Sequence, residues 1–400
     1  MDQMACLWNV PEDISLNIFS RLHIRYLIRC KSVCKSWYTL ISNPYLVPMH
    51  LSRAPQLRDP DILVFVNHIK RLETDEIAYH IDNTKSFTIE NVGCNDESKK
   101  PLPVLPPHLR SFGVCGSCNG LLCLGDSGLH RPVTDPMKIG ELYVWNPFTG
   151  EILQLPTCNT IGIHAFSFGQ NPILNEYMVL AMTKVYPDDF GDFYDASEDY
   201  ECELKIEMCT LGSASWTIIR NVPFIPVTSH SSGYFLLDGA LHWLARKEIN
   251  QYSVGISSLD LGNQTFQFTP LPPEIAHDDR CYHFGTLGGC LYTVDFDRHS
   301  PSHIDIWILK QFGVMESWSK VYVISLDEEN FYAFRPVCVF KCGEVLIVFN
   351  NNSWALYDPK SGRRREIRFL GTGDRGSSRQ VFAYTGTLVS PTAMPCNELL

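Results

Sequence analysis

The sequence predicts a mainly β protein with a small all-α module at its N-terminus: short helices, then a kelch-like β-propeller of about six blades. Three observations predict it. Apolar residues recur at helical spacing from Ile14 to Ile41. From about residue 60 that spacing gives way to short β-rich runs separated by Gly, Pro, Asn and Asp clusters. Within this second part a glycine followed by a buried-looking strand recurs at intervals near 50 residues.

The helical stretch runs from Trp8 to Pro44. Pro11 followed by Glu12 and Asp13 reads as a helix start, since proline suits the first turn and acids favour the positive end of the helix dipole. Ile14, Leu16, Ile18, Phe19 and Leu22 then spread over roughly 200° of helix surface, wider than one core-facing stripe needs. A second apolar set, Tyr26, Cys30, Val33, Cys34, Trp37, Leu40 and Ile41, follows before Asn43-Pro44 stops the helix. A module this small cannot bury so much apolar surface internally, so some of it is expected to meet another protein.

The strand runs include 61–66, 141–145, 176–180, 303–308 and 345–349, and no amphipathic helix longer than about ten residues is expected after Pro44. Gly120, Gly239, Gly289 and Gly343 each precede a strand; the steps are 119, 50 and 54 residues, the first equal to two units. Ser215-Trp216 and Ser317-Trp318 lie 102 residues apart, again two units. The turn 146–150 (NPFTG) is echoed at 358–362 (DPKSG) and more loosely at 260–263. Units of this length hold four short strands each, which is kelch-like blade length. Five blades read as 111–156, 164–222, 233–270, 283–324 and 335–370. A sixth would take strands 61–69, 77–82 and 86–90, with the final run 380–389 supplying its fourth strand and closing the ring. The expected domains are thus 8–50 and 60–390.

Composition narrows the function. Hydrophobic residues make up 45% of the 400-residue chain, enough for a sizeable core. A net charge of −11 argues against nucleic-acid binding, which needs a basic face. No apolar run reaches membrane-spanning length, and the first residues do not read as a signal peptide. Fifteen scattered cysteines are then expected to be reduced thiols in a cytoplasmic or nuclear protein.

No catalytic constellation emerges. Cys115-Gly-Ser-Cys118 has metal-ligand spacing, but Cys338 and Cys342 offer the one nearby-spaced second pair, and packed thiols on strands explain these residues better. His242 beside Trp243 reads as a packed core residue. The acidic insertion 187–203 lacks the spacing and glycine of a calcium loop; no cofactor and no metal is expected. Such a segment is ordinarily a solvated loop, yet its interleaved Phe190, Phe193, Tyr194 and Tyr200 suit a partner-binding surface. Arg363, Arg364 and Arg365 read as an exposed hairpin face, a localisation signal, or a partner for those acids.

Two resemblances follow from the motifs. Val-Pro-Glu-Asp at 10–13, Ile-Phe-Ser-Arg-Leu at 18–22, Leu-Ile-Arg-Cys at 27–30 and Val-Cys-Lys-Ser-Trp at 33–37 together resemble a plant F-box. The departures are His23, where the family usually has proline, and Val10, where it usually has leucine. Residues 117–123, the turn at 145–150 with Leu155-Pro156, residues 239–243, and 305–307 leading to Ser317-Trp318 resemble the F-box-associated, kelch-related domain of plants. These resemblances imply a non-catalytic substrate receptor of a Skp-cullin-F-box ubiquitin ligase. Pro11, Ile14, Leu16, Ile18, Phe19, Leu22, Leu27, Val33, Cys34 and Trp37 would meet the Skp-type adaptor, and through it the cullin-RING ligase. Propeller loops would hold an unidentified target protein. A non-degradative scaffold on the same adaptor is the alternative, and a propeller enzyme a weaker one.

Overall fold

A computed structural model describes residues 10–57, 59–70, 73–81, 99–101, 113–125, 141–158, 163–185, 203–227, 233–247, 254–275, 280–297, 302–326, 334–349, 353–367 and 378–392. Four helices come first: α1 (Glu12–Phe19), α2 (Ile24–Lys31), α3 (Lys35–Ile41) and α4 (Leu46–Leu57). The fourth corrects the expectation of no sizeable helix beyond Pro44. Pro48 hides it in the sequence, yet at the third position of the helix its missing N–H is one that no intrahelical carbonyl would accept.

The described residues of the remaining chain form six sheets. The N-terminal strands β1 (Asp61–Lys70), β2 (Glu73–Ile81) and β3 (Lys99–Pro101) belong to one blade. The second blade holds β4 (Gly113–Cys118), β5 (Leu121–Gly125), β6 (Leu142–Trp145) and β7 (Ile152–Gln154). The third holds β8 (Ile163–Asn171), β9 (Glu176–Val185), β10 (Glu203–Thr210) and β11 (Thr217–Ile219). The fourth holds β12 (Ile225–Pro226), β13 (Tyr234–Leu237), β14 (Ala240–Arg246), β15 (Val254–Asp260) and β16 (Thr265–Pro270). The fifth runs β17 (Arg280–Leu287), β18 (Cys290–Asp297), β19 (His303–Leu309) and β20 (Trp318–Ser325). The sixth runs β21 (Phe334–Val339), β22 (Val345–Phe349), β23 (Ser353–Asp358) and β24 (Arg363–Ile367). The last strand, β25 (Ser378–Tyr384), pairs with β1, so the first blade is ordered β25-β1-β2-β3. Its predicted strand at 86–90 lies outside the described residues.

The repeat markers each have a physical role. Gly120, Gly239 and Gly289 sit second in two-residue hairpins, at φ of 77°, 78° and 79°. Asn119, Asp238 and Gly288 precede them, also at positive φ, which is the turn that matches strand twist. The third blade has no such glycine because Asn175, at φ 54°, takes the left-handed position there, which explains the double step. The turns at 146, 260 and 358 share one device: the side-chain oxygen of Asn146, Asp260 or Asp358 accepts from backbone N–H groups two and, in the first two, three residues on. Trp216 and Trp318 bind blade to blade, their indole N–H groups donating to Pro156 O at 2.8 Å and Pro270 O at 3.0 Å.

Closure is visible at the innermost strands. β4, β8, β13, β17 and β21 each neighbour the next, and β25 lies against both β21 and β4. The Gln380 amide completes the β25–β4 seam, accepting from Val114 N–H at 3.0 Å and donating to Val114 O. Arg335 completes the other seam, donating to Val381 O at 2.9 Å. The final run is nevertheless not one strand from 380 to 389. It leaves the sheet at Tyr384, whose hydroxyl donates to Gly120 O at 2.7 Å, and continues as a buried irregular tail.

Gly120 packs against that tail. A Cβ there would lie 2.4 Å from Thr387 Oγ1 and 2.9 Å from two backbone atoms, whereas Gly150 and Gly362 face open space. Gly120→Ala is therefore expected to cost about 2–4 kcal/mol, and Gly150→Ala about 1 kcal/mol. Equal melting-temperature losses in the two variants would contradict this packing.

Candidate functional site

The F-box-like module divides its apolar residues between two directions. Leu16, Phe19, Ile24, Leu27, Ile41 and Leu46 are buried in one cluster, with Leu22 and Trp37 half-buried against it. The same cluster takes in Leu388 from the C-terminal tail and Phe148 from the second blade. Val47 and Leu51 of α4 join the core between the second and third blades, where Val389 also packs. The module is thus seated on the propeller rather than standing apart from it.

The tail makes this seat. Asn146 Nδ2 donates to Thr387 O and Val389 O at 3.0 and 2.7 Å, and Thr387 Oγ1 donates to Asn119 O at 2.6 Å. Gly386 lies so close to Phe148 and Ile24 that a Cβ would meet them at 2.6 and 2.7 Å. His23 adds a polar tie. Its Nδ1 accepts from Arg25 N–H at 3.2 Å and caps α2, so the ring proton sits on Nε2, facing Asp61 Oδ2 of β1 at 3.3 Å. The departure from proline thus supplies both a helix cap and a contact to the first blade. His50 and Arg53 of α4 donate to Leu22 O and Asn17 O, tying α4 to the turn and helix before it.

The other direction is open. Ile14 and Ile18, one turn apart on α1, are 47% and 44% exposed, and Val33, between α2 and α3, is 62% exposed. Tyr26, Tyr38 and Tyr45 are exposed as well, as are Pro11 and Cys34. Of the residues expected to meet an adaptor, burial removes Leu16, Phe19 and Leu27 from the available surface. They face inward because the helices must cover one another and the tail before they can cover a partner. The wide arc of α1 is therefore a core stripe and an outward stripe side by side.

The propeller offers a second surface. In an antiparallel meander the first and third turns of every blade share one face of the ring, and the second turn and the link to the next blade share the other. Phe148 lies in a third turn and Asn119-Gly120 form a first turn, so the helical module and the tail occupy that face. The insertion 187–203 joins β9 to β10, a second turn. Its anchors Val185 and Glu203, paired in register, thus lie on the distal face. Phe190, Phe193, Tyr194 and Tyr200 lie outside the described residues. Arg364 and Arg365 find partners in their own blade, over the Phe349 ring at 5.1 Å and on Glu344 at 3.6 Å. That blade stands across the ring from Val185 and Glu203; the acids of 187–202, and so their expected pairing with Arg363, Arg364 and Arg365, lie outside the described residues.

The candidate chemical groups are packed groups. His242 is 3% exposed and burial lowers its pKa to about 4, so it is neutral at physiological pH. Burial pushes Cys118 and Cys338 up to about 12, and the Cys123 thiol, hydrogen-bonded to Cys115, is raised as well. Among the described residues no group of three His, Cys, Asp or Glu has metal-binding geometry. The buried seat was missed by sequence reasoning; Gly386, a glycine inside an apparent strand run, is the one local signal that pointed to it.

A family model described as F-box-like matches residues 7–47, and one described as the F-box associated beta propeller domain matches residues 81–388. An F-box protein of Arabidopsis thaliana is 28% identical over 403 residues, spanning 91% of this chain and 88% of its own. The F-box protein CPR1 of the same plant is 26% identical over 382 residues, spanning 90% and 84%. An Arabidopsis F-box/kelch-repeat protein is 22% identical over 396 residues, spanning 96% of each.

Proposed function

From the premise that this chain belongs to the F-box associated beta propeller family and carries an F-box-like module ahead of that domain, we propose that it is the substrate receptor of a Skp-cullin-F-box ubiquitin ligase. The observation that carries the reading is the split of the helical module. Part of it is fixed to the propeller by the tail, while Ile14 and Ile18, one turn apart on α1, and Val33 between α2 and α3 stay exposed, apolar surface suited to helix-in-groove docking. In this reading the Skp-type adaptor covers that stripe and links the chain to a cullin-RING ligase in the cytoplasm or nucleus. The target binds the distal face, and the propeller itself does no chemistry. A fixed seat between module and propeller gives the target a defined position relative to the ligase.

The insertion 187–203 is the recognition element this reading favours. It carries eight carboxylates, including Glu203, and four aromatic residues, which suits a basic target segment: carboxylates steer association and desolvated aromatics hold it. Replacing 187–202 by a Gly-Ser linker is expected to leave melting and adaptor capture unchanged while target recovery by proximity labelling falls about tenfold. Unchanged target recovery from the folded variant would remove the insertion from recognition. Capture of the adaptor without the cullin would favour the non-degradative scaffold instead.

A further inference from the structure

The link between α2 and α3 holds an exposed hydroxyl in a cationic setting. No acidic residue occurs between Asp13 and Asp59, whereas Arg21, Arg25, Arg29, Lys31 and Lys35 fall within that stretch. The chain as a whole has the opposite balance, a net charge of −11. Ser32 stands among these cations, with Arg29 three residues before it, Lys31 directly before it and Lys35 three residues after. Among the serines and threonines whose exposure the structure describes, Ser32 is the one with an arginine at that spacing. The surroundings are open: Ser32, Val33, Cys34, Lys35 and Ser36 are all exposed, and so is Arg29.

Ser32 is also the residue that ends α2. Its Oγ donates to Arg29 O at 2.7 Å, and its backbone N–H reaches the same carbonyl at 3.1 Å. Val33, the next residue and 62% exposed, belongs to the surface that the receptor reading gives to the adaptor. We propose that Ser32 is a phosphorylation site for an arginine-directed protein kinase and that phosphate there releases the adaptor; the release rests on the receptor reading. Kinases select hydroxyls by the charge pattern around them, and Arg29 with Lys31 suits an acidic kinase cleft. In the transfer Ser32 Oγ bonds to the γ-phosphorus of ATP, the bond from that phosphorus to ADP breaks, and the hydroxyl proton passes to the kinase's base. The product carries about two negative charges and no longer donates to Arg29 O. It also stands at the negative end of the α2 dipole, where an anion is disfavoured. A partner that covers Val33 must then strip water from a dianion one residue away, and that cost opposes docking.

The test treats the full chain with magnesium ATP and the catalytic subunit of cyclic-AMP-dependent protein kinase, an arginine-directed serine kinase, and locates phosphate by peptide mass spectrometry. Phosphate on Ser32 is expected. It should be absent from Ser32→Ala, form at least about tenfold more slowly in Arg29→Gln, and persist in Ser36→Ala. Affinity of the phosphorylated chain for a purified Skp-type adaptor should fall at least about tenfold and return after phosphatase treatment. Kinase treatment should leave capture by Ser32→Ala unchanged, and Arg29→Gln serves in the same comparison if the alanine variant does not fold. A folded wild-type chain that gains no phosphate at Ser32, or an Arg29→Gln chain that gains it at the same rate, overturns the site. Capture unchanged by phosphate on Ser32 overturns the release and leaves the receptor function standing. An unmodified chain that captures no adaptor contradicts the receptor reading and takes the release with it, while the modification itself is read without the adaptor and stands or falls on its own.

Discussion

A chain ending before Ser378 is expected to lose its cooperative fold. The deletion takes away β25, the strand that lies against both β21 and β4, and the tail that seats the helical module. Val381, Tyr384, Leu388 and Val389 are all buried, and each contributes roughly 1.5–3 kcal/mol of apolar burial. Four such losses rival the ~5–15 kcal/mol total stability of an ordinary domain. The hydrogen bonds from Arg335, to Gly120 and to Asn119 go with them, leaving Arg335 without its carbonyl partner. The edge of β1 would then be open, a template for association between chains. Calorimetry should show no cooperative transition near that of the full chain, and light scattering should show aggregation. A truncated protein that melts as the intact one does would rule out closure by the C-terminal strand.

The second large effect is expected on the open side of α1. Ile14→Asp with Ile18→Asp places two charges where an adaptor groove would bury them unpaired, and affinity should fall at least about 100-fold. Both side chains are close to half exposed, so stability should change by only about 0.5 kcal/mol. Leu16→Ala or Leu27→Ala should behave in the opposite way, costing about 2–5 kcal/mol of stability, because these residues are buried in the seat. Leu22, half-buried in the same cluster, is a poorer choice for an aspartate, since a folding defect would imitate lost binding. If the Ile14/Ile18 double variant still co-purifies with the adaptor at the wild-type yield, the outward stripe is not the docking face.

How much was legible depended on how local the cause was. Turn chemistry lies within a few residues, so the glycines at 120, 239 and 289 and the Asx turns at 146, 260 and 358 showed the blade period directly. The blade without a glycine could be counted but not explained, because Asn175 reaches the left-handed region without the usual residue. α4 was hidden by Pro48, whose penalty disappears in a first turn. The division of α1 into inward and outward residues was not legible at all, since it depends on Leu388 and Phe148, hundreds and more than a hundred residues away.

Amide hydrogen exchange on the full chain, with and without a purified Skp-type adaptor, tests the receptor account most directly. The account predicts a stable complex in which α1 through α3 gain protection, most strongly around Ile14, Ile18 and Val33, while the anchors of the distal face at Val185 and Glu203 exchange as before. A folded chain that forms no complex, or a complex that protects the distal face and leaves α1 unchanged, would contradict it.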